Sequence, residues 1–488
     1  MESNTAALLD FDQALQAFRT SVAPLLEIGD AQMWDGSKFK TREAQIVWAA
    51  LVLAGQCIAL LLHRLACSAE AHATATRRTH GMRRNGSQGH GRRTVTVLTI
   101  GNVAVRFKVP YVVTRRSSKR ARRKGQRGVA RSANFYPFLA WLGIEEGLTP
   151  LVWTTVAKYG VLQASFEAAR DTLHAWGIIL STKRIARLTY RFGQIGLNLR
   201  QRQLDQLKQG TLPEGQILAG QRVVLSVDGG RARLRHAKRG RRRANRRHGY
   251  RGDWKEPKVL TIYVVDQDGH KVSTQDIPLT NDGTFGGVDQ FMQVLEMHLV
   301  RLGIRHAAQV LFLADGALWM WERIPALLRR LGCPEDRIIE LLDFYHATGH
   351  LSAFAEIAFS NPKAAQAWFK KACAALKRGP ATTLLQQMQT LCAQAKSKHR
   401  ASLTKELEYF QTRLSRLQYA QVATLKLPIG SGAVESLLRQ VVNLRIKGAG
   451  KFWLVEHAEI MLYARCQWAA GVWEHFCASI LTANLCPT

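Results

Sequence analysis

Apolar residues recur along this chain in helical and strand rhythms that change from one stretch to the next. The first seventy residues read as helical, with the polar entry DGSKFKTREAQ leading into IVWAALVLAGQCIALLL, an apolar run from Ile46 to Leu62 interrupted by Gln56. Strand-like alternation then appears in TVTVLTIGNVAVRFKVPYVV, and Gly101-Asn102 at its centre predicts a hairpin turn. In SFEAARDTLHAWGIILSTKRIARLTYRFG, from Ser165 to Gly193, two short helices are expected about a glycine-containing turn. Phe166, Ala169 and Leu173 form the inner stripe of the first, and Ile185, Leu188 and Phe192 that of the second, which Ser181 or Thr182 caps. After about residue 219 strands and helices mix. RVVLSVDGG and KVLTIYVVDQDG read as strands, HKVSTQDIPL as a weaker third, and GVDQFMQVLEMHLVRLG as an amphipathic helix. AAQVLFLADGALWMWERIPALLRRLG and RIIELLDFYHATGHLSAFAEIAF each read as strand, turn and helix. The stretch 360–425 is helical in pattern without a strand, and a further helix opens at Gly430-Ser431-Gly432.

These patterns divide the chain into five parts. Residues 1–90 form a helical region with a basic linker, and 91–218 a hairpin followed by a helix-turn-helix. Residues 219–359 begin a strand-and-helix domain, 360–425 are a helical insertion, and 426–488 complete that domain. The order of three strands, helix, strand, helix, strand is that of an RNase H-like domain. The expected fold is therefore a multidomain α+β or α/β protein, in which a helical DNA-binding region precedes a mixed-sheet domain interrupted by an α-helical insertion.

Charge narrows the partners. The chain has 488 residues, 47% hydrophobic and 22% charged, with 69 Lys and Arg against 36 Asp and Glu, a net +33 that points to a polyanion. Nucleic acid comes first and anionic membrane second. Gln56 and the shortness of its apolar run favour a buried or subunit-packing helix over a membrane span, so no membrane partner is expected. Eight cysteines lie singly, without a Cys-x-x-Cys pair or secretory leader, as reduced thiols do, and the expected location is the bacterial cytoplasm, at the nucleoid. ATRRTHGMRRNGSQGHGRR, from Ala75 to Arg93, reads as an exposed basic linker, and a second basic run, RRSSKRARRKGQRGVAR, follows the hairpin. Lys183, Arg184, Arg187 and Arg191 fall on the outer face of the second short helix, as on a recognition helix, although a helical hairpin with a charged outside has the same pattern. Arg231, Arg241, Arg242 and Arg243 follow Asp228 closely and would seat a phosphodiester backbone.

Asp228, Asp315 and Asp343 each close an apolar strand, and Glu435 lies on the first turn of a helix. Each has a plain alternative as a turn or helix-start acid. Together, strand ends and a helix start of one sheet converge on one edge, where carboxylates suit magnesium or manganese. Two such ions about 4 Å apart clamp the attacking and leaving oxygens of phosphoryl transfer. Trp319 and Trp321 are candidates for stacking an extruded base, or are core. Arg445, Lys447 and Lys451 are candidates for phosphate contact, or a solvated basic face. His346 and His350 stand four apart, a zinc spacing, but position 347 is Ala where the metalloprotease signature has glutamate, which argues against zinc.

SVDGG, LADGALWMW, LLDFYHATGHL and LPIGSGAVESLLRQVVNLRIKGAGKFW resemble the successive motif blocks of bacterial insertion-sequence transposases of the ISKra type, within the DDE superfamily. The likeness covers roughly residues 219–475. It implies Asp228, Asp315 and Glu435 as a catalytic, metal-binding triad, and Asp343-x-x-His346 as the motif beside it; chemically, His346 can orient the phosphate and Asp343 can fix its imidazole tautomer, or Asp343 is a strand-end acid with a helix-capping partner. It also implies two magnesium ions, double-stranded DNA as partner (the element's terminal inverted repeats and target DNA), and a homodimer or larger synaptic assembly. Members of that family carry a Cys-x-x-Cys pair near the hairpin, whereas this chain has YVVTRRSSKRARRKG there. Two other readings share the same residues: an inactive transposase-derived DNA-binding protein, and a structure-selective RNase H-like nuclease.

Overall fold

The computed structural model describes residues 10–83, 86–114, 134–237, 249–274 and 276–483. It is a mixed α+β protein with a helical N-terminal region, and the chain divides into two compact units, Met1–Gly196 with Glu474–Thr488, and Leu197–Trp473.

The first unit holds helices α1 (Phe11–Val22), α2 (Gly36–Cys67) and α3 (Ala69–Arg78), then strands β1 (Ser87–Leu98) and β2 (Ala104–Thr114), then α4 (Pro137–Trp141), α5 (Pro150–Leu162), α6 (Phe166–His174) and the start of α7 (Thr182–Lys208). Asp35 caps α2, accepting the Lys38 N–H at 2.7 Å. Gly55, Ala59, Leu62 and Ala66 make its buried stripe, but only 17% of its most apolar window is buried. Of the two expected alternatives, a buried or a subunit-packing helix, the first does not hold within the chain: Phe39, Val47 and Leu61 are more than half exposed. Among the described residues α2 is the one helix long and apolar enough to cross a membrane.

The hairpin turns at Gly101 and Asn102, both with positive φ (67° and 57°), the conformation that a tight turn demands and glycine and asparagine tolerate. Three backbones meet there. A Cβ on Gly55 of α2 would lie 2.1 Å from the Ile100 carbonyl oxygen, one on Gly101 would lie 2.3 Å from that of Leu51, and one on Gly177 would lie 2.6 Å from the Gly101 Cα. The expected basic linker is corrected here. Ala69–Arg78 is helix, and Ser87–Arg93 belongs to β1, whose backbone pairs with β2 from Ser87 opposite Thr114 across a bulge at Gly89–Arg92. Solvated charges do not prevent strand pairing when a partner strand supplies the backbone hydrogen bonds.

The two helices about Gly177 are present, with Ala169, Leu173, Ile185, Leu188 and Phe192 fully buried. The second, α7, is much longer than the pattern suggested. Its buried stripe continues through Arg200 and Leu204, and an arginine at a core position hides the helical period from sequence. The chain's last helix, Trp473–Thr482, packs Phe476 edge-on to Phe192 at 5.6 Å and so falls with the first unit, not with the domain that residues 426–488 were expected to complete.

The second unit is built on a six-stranded mixed sheet. Its strands are β3 (Arg222–Gly229), β6 (Lys258–Val265), β7 (Lys271–Val272), β8 (Thr280–Thr284), β9 (Gln309–Ala314) and β10 (Ile338–Leu342), while β4 (Ala232–Ala237) and β5 (Tyr250–Lys255) form a separate hairpin. The spatial order is β10-β9-β3-β6-β7, with β8 also pairing β6. Strands β3, β9 and β10 run parallel, and β6 is antiparallel to β3, β7 and β8. Helices α8 (Val288–Leu302), α9 (Leu318–Arg330) and α10 (Phe344–Ala358) follow β8, β9 and β10. Then come α11 (Pro362–Arg378), α12 (Ala381–Gln394), α13 (Ser397–Gln411) and α14 (Tyr419–Thr424) without a strand between them, then α15 (Gly432–Leu438) and α16 (Val455–Ala469). One apolar core runs from Leu225, Leu260 and Phe312 in the sheet to Phe354, Met388 and Phe410 in the helices.

Of the weak third strand predicted at HKVSTQDIPL, the described residues show only Lys271–Val272 as strand, and β8, TNDGT, which starts just after that stretch, carries no apolar alternation at all. Its Asn281, Asp282 and Thr284 are buried. Asp282 is balanced by Arg200 at 2.8 Å and His298 at 2.9 Å, and Arg200 also pairs with Glu459 at 2.7 Å, so a polar strand sits inside the unit because its charge is met on both sides.

Candidate active site at the carboxyl edge of the sheet

Strand register fixes where the first two acids stand. Val227 of β3 lies opposite Ala314 of the parallel β9, so the next residue of each, Asp228 (still paired with Val259 of β6) and Asp315 (just past the end of β9), stands at one edge of the sheet on neighbouring strands, which are about 4.8 Å apart. Leu342 of β10 lies opposite the same Ala314, and the Asp343 N–H donates to the Ala314 carbonyl at 2.8 Å. Glu435 sits in the first turn of α15, a helix that packs on β3 and β6 and lays Leu438 over Gly230. Gly229 admits a fourth carboxylate: a Cβ there would lie 2.2 Å from Glu256 Oε1 and would have to push that side chain aside.

These groups share one field. Burial pushes the Asp228 carboxyl up to about 6, and the charges of Asp315, Glu435 and Glu256 push the same way, against the N–H of Gly229, which donates to Asp228 Oδ1 at 2.6 Å. Among the described residues no Lys, Arg or His forms an ion pair with Asp228, Asp315 or Glu435; Glu256 has Lys258 at 3.4 Å. Among the described residues no group of three or more His, Cys, Asp or Glu is preformed as a metal site. The donor chemistry nonetheless fits a hard divalent cation, because repelling oxygen donors without a basic partner are what such a cation satisfies. Asp228, Asp315 and Glu435 are the residues that would hold it.

Of the two parts open to Asp343 from the sequence, the structure shows that of a strand-end acid capping a helix. It is 1% exposed, and its carboxylate accepts two backbone amides, those of His346 (2.6 Å) and Ser431. It therefore caps α10 and ties the Gly430-Ser431-Gly432 loop to the sheet rather than facing a substrate or fixing the His346 imidazole. Ser431 Oγ in turn donates to Glu435 Oε1 at 3.1 Å, so a chain of contacts runs from Asp343 to Glu435. His346 is exposed, with its ring 5.4 Å from His350. His350 pairs with Glu406 at 2.7 Å and stacks on Tyr409 at 3.6 Å.

Tyr409 and Arg413 are neighbours of the site that sequence reasoning missed. The Tyr409 hydroxyl and Arg413 Nε each lie 3.4 Å from where a Gly316 side chain would begin, beside Asp315. Both atoms are buried without a hydrogen-bond partner, and Arg413 Nη2 donates to the Gly316 carbonyl at 3.4 Å. Burial, with Asp315, Asp343 and Glu406 nearby, raises the Tyr409 hydroxyl far above its ordinary range. Nothing in their spacing marks them, since they come from helical sequence distant from every strand end.

The basic and aromatic candidates separate. Arg231 and Lys447 are exposed. Arg445 is 3% exposed over the Trp453 ring, and Lys451 Nζ donates to its carbonyl at 3.2 Å, so Arg445 is corrected from a phosphate contact to a buried support. Trp321 is likewise core, edge-on to Phe312 at 4.9 Å under the Arg416 guanidinium, with no free face for a base. Trp319 is half-buried, edge-on to Phe291 at 5.6 Å. In the first unit Arg187 and Arg191 pair with Glu146 (2.6 Å) and Glu145 (2.5 Å), and Arg184 donates to the Glu146 carbonyl at 3.0 Å, while Lys183 is exposed. These are surface pairs of small worth that a phosphate can displace. Arg241, Arg242 and Arg243 lie outside the described residues. Compared with protein-family models, with curated proteins and with solved structures, the chain matches none.

Proposed function

We propose that the chain is a DDE transposase of an insertion sequence, with an RNase H-like catalytic domain in the second unit and the helices 360–425 as its insertion. The observation that carries this reading is the meeting of Asp228 and Asp315 on adjacent parallel strands with Glu435 in the same field. The strand order, with β9 and β10 parallel to β3 on one side and β6 antiparallel to it on the other, supports the same reading.

In this reading Asp228, Asp315 and Glu435 would hold two magnesium ions, which supply a nucleophile at neutral pH and charge stabilisation at phosphorus. The side chains do the rest by position. Arg231 and Lys447 draw a phosphodiester to the sheet edge, and Asp343, through Ser431, holds Glu435 against it. Water attacks the phosphate at an element end, the bond to the leaving 3′ oxygen breaks, and a free 3′ hydroxyl remains. That hydroxyl then attacks a target phosphodiester and displaces its 3′ oxygen, so no residue becomes joined to DNA. The hairpin and the helices about Gly177 would read the terminal repeats, and a dimer or larger assembly would hold two ends.

Asp315→Asn tests this on duplexes carrying the terminal inverted repeats that this reading expects at the ends of the element. Binding should stay within a few-fold of wild type while cutting and joining fall by at least about a thousandfold. Joining at the wild-type rate would overturn the triad. Wild-type protein that binds the ends and never cuts them with magnesium or manganese would leave a DNA-binding protein.

A further inference from the structure

The hairpin β4–β5 stands apart from the main sheet and divides its residues by face. Ala232 and Leu234 are fully buried, whereas Arg231, Arg233 and Arg235 are exposed. In the register, Arg233 faces Trp254, Arg235 faces Gly252 and Ala237 faces Tyr250, so positions 254, 252 and 250 share the arginines' face. Trp254 is 49% exposed and Tyr250 45%. Between them Phe452 lies across Gly252, where a Cβ would come within 3.2 Å of its ring, and its centroid is 5.3 Å from that of Tyr250. The Arg233 guanidinium stands 4.7 Å from the Trp254 ring and 5.7 Å from that of Phe452, and Arg231 stands 5.9 Å from Trp254.

The backbone holds this row. Arg235 N–H donates to the Trp453 carbonyl at 2.7 Å and Trp453 N–H to the Arg233 carbonyl at 3.2 Å, so Phe452 is placed by strand pairing. Three rings in line with three arginines on a solvent-facing strand are not a core. A hydrophobic partner would leave the arginines unmet, and a duplex would offer phosphates but keep its base faces stacked. Phe452 and Tyr250 are 5.3 Å apart, and Trp254 and Tyr250 stand four residues apart on β5, roughly 14 Å, spacings wider than a base step, which suits bases drawn out of a stack.

We propose that this face binds a single DNA strand, with bases stacked on Trp254, Phe452 and Tyr250 and phosphates held by Arg231, Arg233 and Arg235. β4 begins just after Asp228 and Phe452 follows α15 in the chain, so the strand would lie on segments continuous with two of the acids. Only the choice of DNA over RNA rests on the function proposed above; the stacking requires an unpaired strand and no cutting.

The experiment is fluorescence anisotropy of labelled oligo(dT) of about 20 nucleotides, of oligo(rU) of equal length and of a duplex, titrated with the full chain and with Trp254→Ala and Trp254→Phe. Trp254→Ala should weaken oligo(dT) binding about tenfold, Trp254→Phe should recover most of it, and duplex binding should stay within about twofold. Thermal midpoints should match, since the ring is half exposed. Unchanged oligo(dT) binding, an equal loss on duplex, or oligo(rU) held tenfold more tightly than oligo(dT) would each overturn the proposal. A chain that fails to cut element ends yet gives the expected pattern would sink the transposase reading alone.

Discussion

Asp228 is a carboxyl that its surroundings make reluctant to ionise. Its folded value of about 6 lies above the ordinary 3.8, so between these an unfolded chain has already released the proton that the folded chain keeps. Stability from this group is therefore complete below about pH 4 and declines as pH rises through 6. We expect the thermal midpoint of metal-free protein to fall across that window, and Asp228→Asn to remove that part of the fall. Magnesium at pH 7.5 should raise the wild-type midpoint and leave that of Asp228→Asn nearly unmoved, as scanning calorimetry would record. At this scale the sequence was informative where an acid ends an apolar run, as Asp228 and Asp315 do. It was silent on Glu256, Tyr409 and Arg413, which reach the site from elements whose approach only the fold determines.

Single elements show why one strand-end acid differs from the others. Asp343 follows β10 as Asp315 follows β9, yet its two oxygens are spent on the amides of His346 and Ser431. Asp343→Ala would leave both amides without their acceptor, at a cost of about 2–4 kcal/mol, read from urea unfolding. It should also slow cutting by releasing the loop that carries Glu435, while Asp343→Asn, which keeps one acceptor oxygen, should lie between. Sequence could not separate these acids, because the distinction lies in the partner and the partner is 88 residues downstream. Elements with an apolar period, such as β3, β6, β9 and α8, were legible. β8 and the far half of α7 were not, since Asp282 and Arg200 break the pattern by burying charge against each other.

For the molecule as a whole, that buried cluster is the least replaceable polar feature. Burial opposes the charge on Asp282, but Arg200 and His298 hold its carboxyl below the ordinary range, so its contribution is present at neutral pH and is lost as acid reaches its folded value. Arg200→Met would strand Asp282 and should cost the second unit about 3–5 kcal/mol, visible as an earlier urea transition that acid brings earlier still. The large positive charge was readable at once and set the expectation of a polyanion partner, whereas the division into units was not legible. The last helix is close in sequence to α16 yet is claimed by Phe192 in the other unit.

The junction of Gly55, Gly101 and Gly177 has a mechanical consequence. Where three main chains touch with no side chain as padding, there is no slack to absorb a push. A load applied to the hairpin tip or to the turn between α6 and α7 must pass undamped to the middle of α2, so in the first unit these three segments move as one lever or not at all. Even a methyl group at any of the three positions would act as a wedge, prising all of them apart.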